Sequence, residues 1–410
     1  MPSSIAAPHP LPERLHGLDA LRGFALILGV ALHACMSYLP DAQYLWIVND
    51  GHPSLALSVL FYFIHLFRIT LFFVIAGFFG RLAYHRLGLR GFARDRWRRI
   101  AVPLLVGWPP LFAAIVAAIV WGAWLKSGGH LAQEASPGPA FTPSDFPLTH
   151  LWFLYVLCGF YVVTVALRGA FARLDPFGLL RAHIDTAVGA LSRPGYAVLL
   201  ALPLAACLWM QPGWLLWFGV PTPDHSLYPN LPACVGYGVA FGFGWLLQRQ
   251  PDLLSRIQAH WQAHLLVALI TTAACLFLTG PTPVLSPEPD SLVRGAYALA
   301  YASAGWAWTF ALFGIALRFM GRASPVRRYL ADASYWIYLV HLPIVMALQV
   351  IAAQLDAPWW IEFPVLLGMA FAVMLATYHA FVRHSFIGRT LNGRRMPRHR
   401  KRPMPMADVS

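Results

Sequence analysis

Long apolar runs separated by short polar joints dominate the chain. Ten of them approach the ~20 residues that a helix needs to cross bilayer hydrocarbon. They are Leu18 to Leu39, Leu55 to Tyr84, Ile100 to Leu125, His150 to Leu167, Tyr196 to Leu216, Leu231 to Leu247, Leu265 to Gly280, Gly295 to Phe319, Ser334 to Ala353 and Ile361 to Val382. The runs 231–247 and 265–280 are the shortest. Pro, Gly and Ser crowd the joints 126–149, 211–230 and 280–292, which mark loops too short for a separate domain. The pattern predicts an all-α fold, a polytopic membrane helix bundle of about ten transmembrane helices.

Composition agrees. The 410 residues are 58% hydrophobic and 11% charged, and the mean hydropathy is +0.58. A soluble protein of this length could not cover its surface with so few charges, so lipid is the solvent that fits. The net charge is +13, carried almost wholly by arginine, with lysine only at Lys126 and Lys401. Such a balance can mean nucleic acid, but these arginines lie between the apolar runs and sort by loop. One set of joints holds Arg81 to Arg99, Arg168 to Arg193, Arg249 with Arg256, and Arg318 to Arg328, and the basic tail continues it. The alternate joints hold only Lys126 and Arg294 at their edges. The positive-inside rule puts the rich set, and with it both termini, in the cytoplasm. The organisation expected is a cytoplasmic segment 1–17, a membrane domain 18–385 and a basic, disordered cytoplasmic tail 386–410 that can touch anionic lipid. The polar, proline-containing start and the length of the first run indicate a retained helix, not a cleaved leader. The five cysteines are scattered singly and read as small hydrophobes, with no metal spacing.

Polar side chains at bilayer depth are costly and mark function. The first run carries Asp19, Arg22 and His33. Arg22 and His33 are 11 residues apart, about three turns, which puts them on one face ~16 Å apart. That face offers a cation for an anionic ligand and, deeper, an imidazole suited to general base work. The plainer alternative is a buried histidine satisfied by a carbonyl. The second run places His65 and Arg68 on one side of FIHLFRITLFFVIAGFF. Arg68 there needs a carboxylate, a phosphate or a wet cavity, and Asp19 or Asp50 could serve as a structural ion partner. Arg96, Arg98 and Arg99 in RDRWRRIAVP suit bidentate phosphate binding, although charge alone would equally make them topology signals. His150 opens HLWFL. His341 sits in SYWIYLVHLPI with Ser334 and Tyr338 on its face, and Pro343 frees the carbonyl of Leu339. Glu362 and His379 read as structural. No phosphate-binding loop, GxSxG, HExxH or GxGxxG occurs, which removes support for nucleotide hydrolysis, serine hydrolase and metal chemistry.

In this order LDALRGFALILGVALH, FFVIAGFFGRL followed by RWRRIAVP, HLWFL and SYWIYLVHLPI resemble the signature blocks of the membrane acyltransferase 3 family, over nearly the whole chain. FIHLFRITLFFVIAGFF with HLWFL and IYLVHLP is most similar to members that succinylate osmoregulated periplasmic glucans. The resemblance implies a bacterial inner-membrane enzyme with acyl-CoA, foremost succinyl-CoA, as cytoplasmic co-substrate. It implies a periplasmic glucan or other polysaccharide hydroxyl as acceptor, and no tightly bound cofactor. The family's essential first-helix histidine falls on His33, its DxLRG arginine on Arg22 and its RxxR pair on Arg96 and Arg99. Where the family often has serine before the glycine of FFxxSG, this chain has Ala76 before Gly77, so a hydroxyl there is no part of its chemistry.

These assignments imply a route. The CoA phosphates dock on Arg96 and Arg99, with Arg22 or Arg98 assisting and Asp19 orienting Arg22. The pantetheine arm follows the stripe to His33, which takes the proton of the attacking hydroxyl. Direct transfer and an acyl-histidine relay both stay open. Arg68, beside His65, holds a succinyl carboxylate or an oxyanion, while His150, Trp152, Tyr338 and His341 line the acceptor side. The partners expected are the membrane lipid and the two substrates, with no nucleic acid and a homo-oligomer among the assemblies allowed. An O-acetyltransferase of another exported polysaccharide, lipid or small molecule is the nearest alternative. A transporter or flippase expects Gly/Pro-broken helices in corresponding halves, and none pair here.

Overall fold

The computed structural model describes residues 16–41, 46, 48–49, 51–130 and 138–392. Most of the expected N-terminal segment and basic tail, and Asp50, lie outside the described residues. Thirteen α-helices follow in order: α1 His16–Cys35, α2 Leu55–Arg96, α3 Val102–Lys126, α4 Trp152–Leu174, α5 Leu179–Leu191, α6 Ala197–Trp209, α7 Leu231–Leu247, α8 Asp252–Ala259, α9 Trp261–Thr279, α10 Ser291–Phe319, α11 Pro325–Ala352, α12 Trp359–Thr377 and α13 Phe386–Asn392. Among the described residues there is no strand, only an isolated bridge between Thr142 and Asp145.

Side-chain caps set several starts. The Ser54 hydroxyl accepts from Leu57 N at the head of α2, Asn230 Oδ1 from Ala233 N at α7, and Asp290 Oδ1 from Leu292 N at α10. Ser324 caps α11, with Pro325 at its first position. Apolar side chains point outward as well as inward: Val162 is 71% exposed and Phe277 89%. That is the surface of a membrane protein, whose outer solvent is hydrocarbon.

Among the described residues seven helical stretches are long and apolar enough to cross a membrane, or eight if α7 and α8, bent by 114°, form one span. This differs from the expected ten at identifiable places. Leu55–Lys126 is a single helical stretch of 72 residues, joining α2 through a π-turn at Trp97–Ala101 to α3. At ~1.5 Å per residue it is over three times the ~30 Å hydrocarbon core, so it holds both the second and the third apolar runs. Gly88, at φ +67, breaks it beyond the second run. The run 196–216 forms only the 13-residue α6, because Gln211, Pro212 and Gly213 end the helix.

Small residues let the helices approach. A Cβ on Gly77 would stand 2.0 Å from Phe241 O, and one on Gly244 2.0 Å from Val74 O. The backbones of α2 and α7 therefore meet face to face. α10, rich in Ala, Gly and Ser, is the buried central helix. Packing of α1 against both α2 and α11 brings the polar stripe of the first helix beside His341.

A candidate active-site cavity

The stripe on α1 forms as its spacing implies. At one end Asp19 Oδ1 lies 3.6 Å from Arg22 Nη2, which donates to Ala331 O of α11 at 3.2 Å. At the other end the His33 ring stands 5.2 Å from that of His341 and 6.3 Å from Trp46. Helix ends leave carbonyls without intrahelical partners, and Gln349 of α11 answers this one. Its Nε2 donates to His33 O (2.9 Å) and Ala34 O (3.3 Å), and its Oε1 accepts from Trp46 Nε1 at 3.0 Å. The His33 Nδ1 is buried and has no hydrogen-bond partner among the described residues.

Two more histidines complete the centre. His341 Nδ1 lies 2.7 Å from Tyr338 O, and His150 Nε2 lies 2.9 Å from Leu339 O. A ring nitrogen facing a carbonyl must carry the proton. In the neutral form this leaves Nε2 of His341 and Nδ1 of His150 as the lone-pair nitrogens. The Leu339 carbonyl is the one that Pro343 cannot bond, so the proline supplies the anchor for His150. Tyr338 OH returns a hydrogen bond to His150 O at 2.7 Å, and the His150 and His341 rings are 5.1 Å apart.

Opposite, α2 presents His65 and Arg68. His65 stacks on Phe61 (5.6 Å, 16° between planes), and Phe61 stacks on Trp217 (5.5 Å, 2°). Arg68 makes no ion pair or hydrogen bond with any described residue. The expected partner Asp19 is beside Arg22 instead, since α1 carries both on one turn. Gly29 leaves room for the guanidinium, because a Cβ there would stand 2.7 Å from Arg68 Nη1.

At the arginine end a carboxylate stands among the expected phosphate ligands. Asp95 Oδ2 pairs with Arg96 Nη2 at 2.7 Å, and its Oδ1 lies 3.6 Å from Arg99 Nε. Arg96 also donates to Tyr161 OH at 3.2 Å and covers the Phe92 and Tyr161 rings, each 5.2 Å from its guanidinium carbon. Arg96 is thus already held on several sides, and Arg99 is more open.

One cavity of about 1380 Å³ joins these parts, above the ~300–1,000 Å³ of ordinary ligand pockets. Asp19, Arg22, His33, His65, Arg68, Arg96, Arg99, His150, Trp152, Tyr338 and His341 all line it. The sequence reading missed Arg86, Trp46, Asp145 and Asp224, which line it as well, and Asp95 and Gln349, which support it. It runs from the arginines past the histidines to loop residues 138–149 and 221–225. In that far loop burial raises the Asp224 carboxyl above the usual range, against the pull of His225. Among the described residues no group of three potential ligands could hold a metal ion.

The arrangement resembles known proteins in sequence. The family model described as acyltransferase domain matches residues 15–379. Glucans biosynthesis protein C of Escherichia coli strain SMS-3-5 / SECEC is 31% identical over 155 residues, 36% of this chain and 38% of that protein. The protein of that name from Escherichia coli O6:K15:H31 (strain 536 / UPEC) is 30% identical over 151 residues, with the same coverage. The matched region thus spans well under half the length of these relatives. No solved structure matches.

Proposed function

Since the chain belongs to this acyltransferase family, we propose that it is a membrane O-acyltransferase carrying an acyl group, succinyl foremost, from cytoplasmic acyl-CoA to a hydroxyl of a periplasmic glucan. The observation that carries this reading is one cavity lined by arginines at one end, by His33 between, and by the loop residues 138–149 and 221–225 at the other. We place the arginine end in the cytoplasm of a bacterial inner membrane, with ten crossings and both termini inside, on the loop asymmetry of arginine.

The residues then divide the work. Arg22, Arg86 and Arg99 draw the CoA phosphates, and Arg96, tied to Asp95 and Tyr161, fixes the turn that presents them. The thioester reaches His33 along α1. His33 takes the proton of the acceptor hydroxyl as its oxygen attacks the thioester carbon; the C–S bond then breaks, and the CoA thiolate takes that proton from His33 and leaves as the thiol. Gln349 and Trp46 fix the end of α1, so the imidazole keeps its place. Arg68, a cation with no described protein partner, binds the distal carboxylate of a succinyl group.

Mass spectrometry of periplasmic glucans from a strain lacking the gene, complemented with wild type or His33→Ala, tests this. Wild type restores succinyl mass additions, and a well-expressed His33→Ala protein does not, since loss of a positioned base costs ~10²–10⁴-fold in rate. Identical glucans in all strains would remove glucan as acceptor. Purified protein that leaves the thioester of succinyl-CoA intact would turn the reading toward transport.

A further inference from the structure

At the end of the cavity away from the arginines, four aromatic rings gather around Phe112, the one of them that lines it, and Phe141 sits at the outer edge of the group. Trp108 stacks on Phe112 (5.1 Å between centroids, 8° between planes) and on Phe146 (4.8 Å, 29°). Phe141 meets Phe112 edge-on at 5.8 Å. The group is pinned, because Trp108 Nε1 donates to Pro147 O at 2.8 Å. Phe141 is nevertheless 53% exposed and held at φ +55. A bulky residue rarely adopts that backbone, and such outliers collect at ligand sites. Thr149, the residue before His150, is a second such outlier, at φ +53.

The same rim carries carboxylates. Asp145 and Asp224 line the cavity with Phe112. Asp145 Oδ2 accepts from Ala140 N at 2.6 Å, and its other oxygen makes no hydrogen bond with a described residue. The two loops are stitched into one rim by Phe146 N to His225 O (2.9 Å), Thr149 N to Asp224 O (3.2 Å) and Leu227 N to Pro143 O (2.9 Å). Asp224 Oδ2 lies 3.6 Å from His225 Nε2, so each carboxylate keeps one oxygen without a hydrogen bond or ion pair to another described residue, and a ring face next to such oxygens suits one ligand chemistry. The apolar face of a pyranose lies on the aromatic ring while its hydroxyls donate to the carboxylates. An anionic ligand would meet two like charges instead.

We propose that this rim is the acceptor platform and that it selects an uncharged sugar ring, with Phe141 as the stacking surface and Asp145 and Asp224 as hydroxyl acceptors. The proposal deepens the acyl-transfer reading and rests on it for the direction of traffic through the cavity.

Calorimetric titration of purified protein with maltoheptaose, without acyl-CoA, tests it independently of the reaction. Saturable binding is expected. Phe141→Ala should weaken it about tenfold, from the lost ring contact, and Phe141→Tyr should retain it. An oligoglucuronide of equal length should compete poorly with maltoheptaose, and Asp224→Asn should improve its competition. No saturable binding by wild type, equal affinity of wild type and Phe141→Ala, or equally good competition by the oligoglucuronide would overturn the platform. Consumption of succinyl-CoA, followed separately, reports on acyl transfer, so the two readings fail by different signals.

Discussion

At the scale of single residues the cavity turns on a few polar atoms and what surrounds them. Arg68 stands at bilayer depth with no described protein partner, and charge there is tolerated only beside water or a counter-ion. If that counter-ion is a succinyl carboxylate, Arg68→Ala should lower kcat/KM for succinyl-CoA by ~10–100-fold, the worth of a charge-assisted hydrogen bond, and spare acetyl-CoA. Paired assays with the two donors decide it, and equal losses would assign Arg68 to the oxyanion. Gly29→Ala should give the same donor-selective loss in weaker form, because the added methyl displaces the guanidinium without removing it. The placement of the polar residues was legible in the sequence where it rests on helical spacing. Arg22, His33, His65, Arg68 and His341 were found as polar breaks in apolar runs, and all line one cavity. What stayed hidden depends on contacts between distant segments. Gln349 is one polar residue near a helix end until α11 packs on α1, and Trp46 gains meaning only as its partner.

At the scale of elements, Pro343 and Gly77 show two ways in which a helix is shaped by what it lacks. Pro343 has no N–H, so Leu339 O is free for His150. Pro343→Ala should return that carbonyl to the helix, leaving the melting temperature unchanged or higher. It should lower kcat about five- to tenfold, the worth of one positioning hydrogen bond. Steady-state kinetics beside a thermal melt would show this split, which a merely structural proline would not. Gly77 lets α2 touch α7, and a Cβ there must push back Phe241 O. Gly77→Ala should therefore destabilise by ~1–3 kcal/mol, read as a lower melting temperature in the same detergent. The spacing of apolar positions located the helices well, and it foresaw the freed Leu339 carbonyl. It did not foresee that the second and third runs join through a continuous helical turn, because Arg94 to Arg99 propagate a helix as readily as they mark a loop. Nor did it show Asp95 engaging Arg96, since a carboxylate among many arginines has no evident partner until the helix brings Tyr161 and Phe92 around one of them.

At the scale of the whole molecule, the arginine-rich loops lie on one side if ten crossings are made. A reporter fused at the C-terminus should then be active only in the cytoplasmic sense, and a cysteine placed in the 280–292 loop should react with an impermeant thiol reagent from outside. The opposite pattern would invert the proposed route of the acyl group. The cavity also has an electrical consequence. A wet passage reaching toward both faces of an energised membrane would discharge the ion gradients across it. Arg68, lining that cavity with its charge uncompensated by described residues, would oppose the passage of any cation, hydronium included, as a fixed positive charge does in a water-selective pore. The side chain proposed to grip a donor's carboxylate would thereby keep the bilayer an insulator, and proteoliposomes bearing Arg68→Gln should lose an imposed pH gradient faster than those bearing wild type.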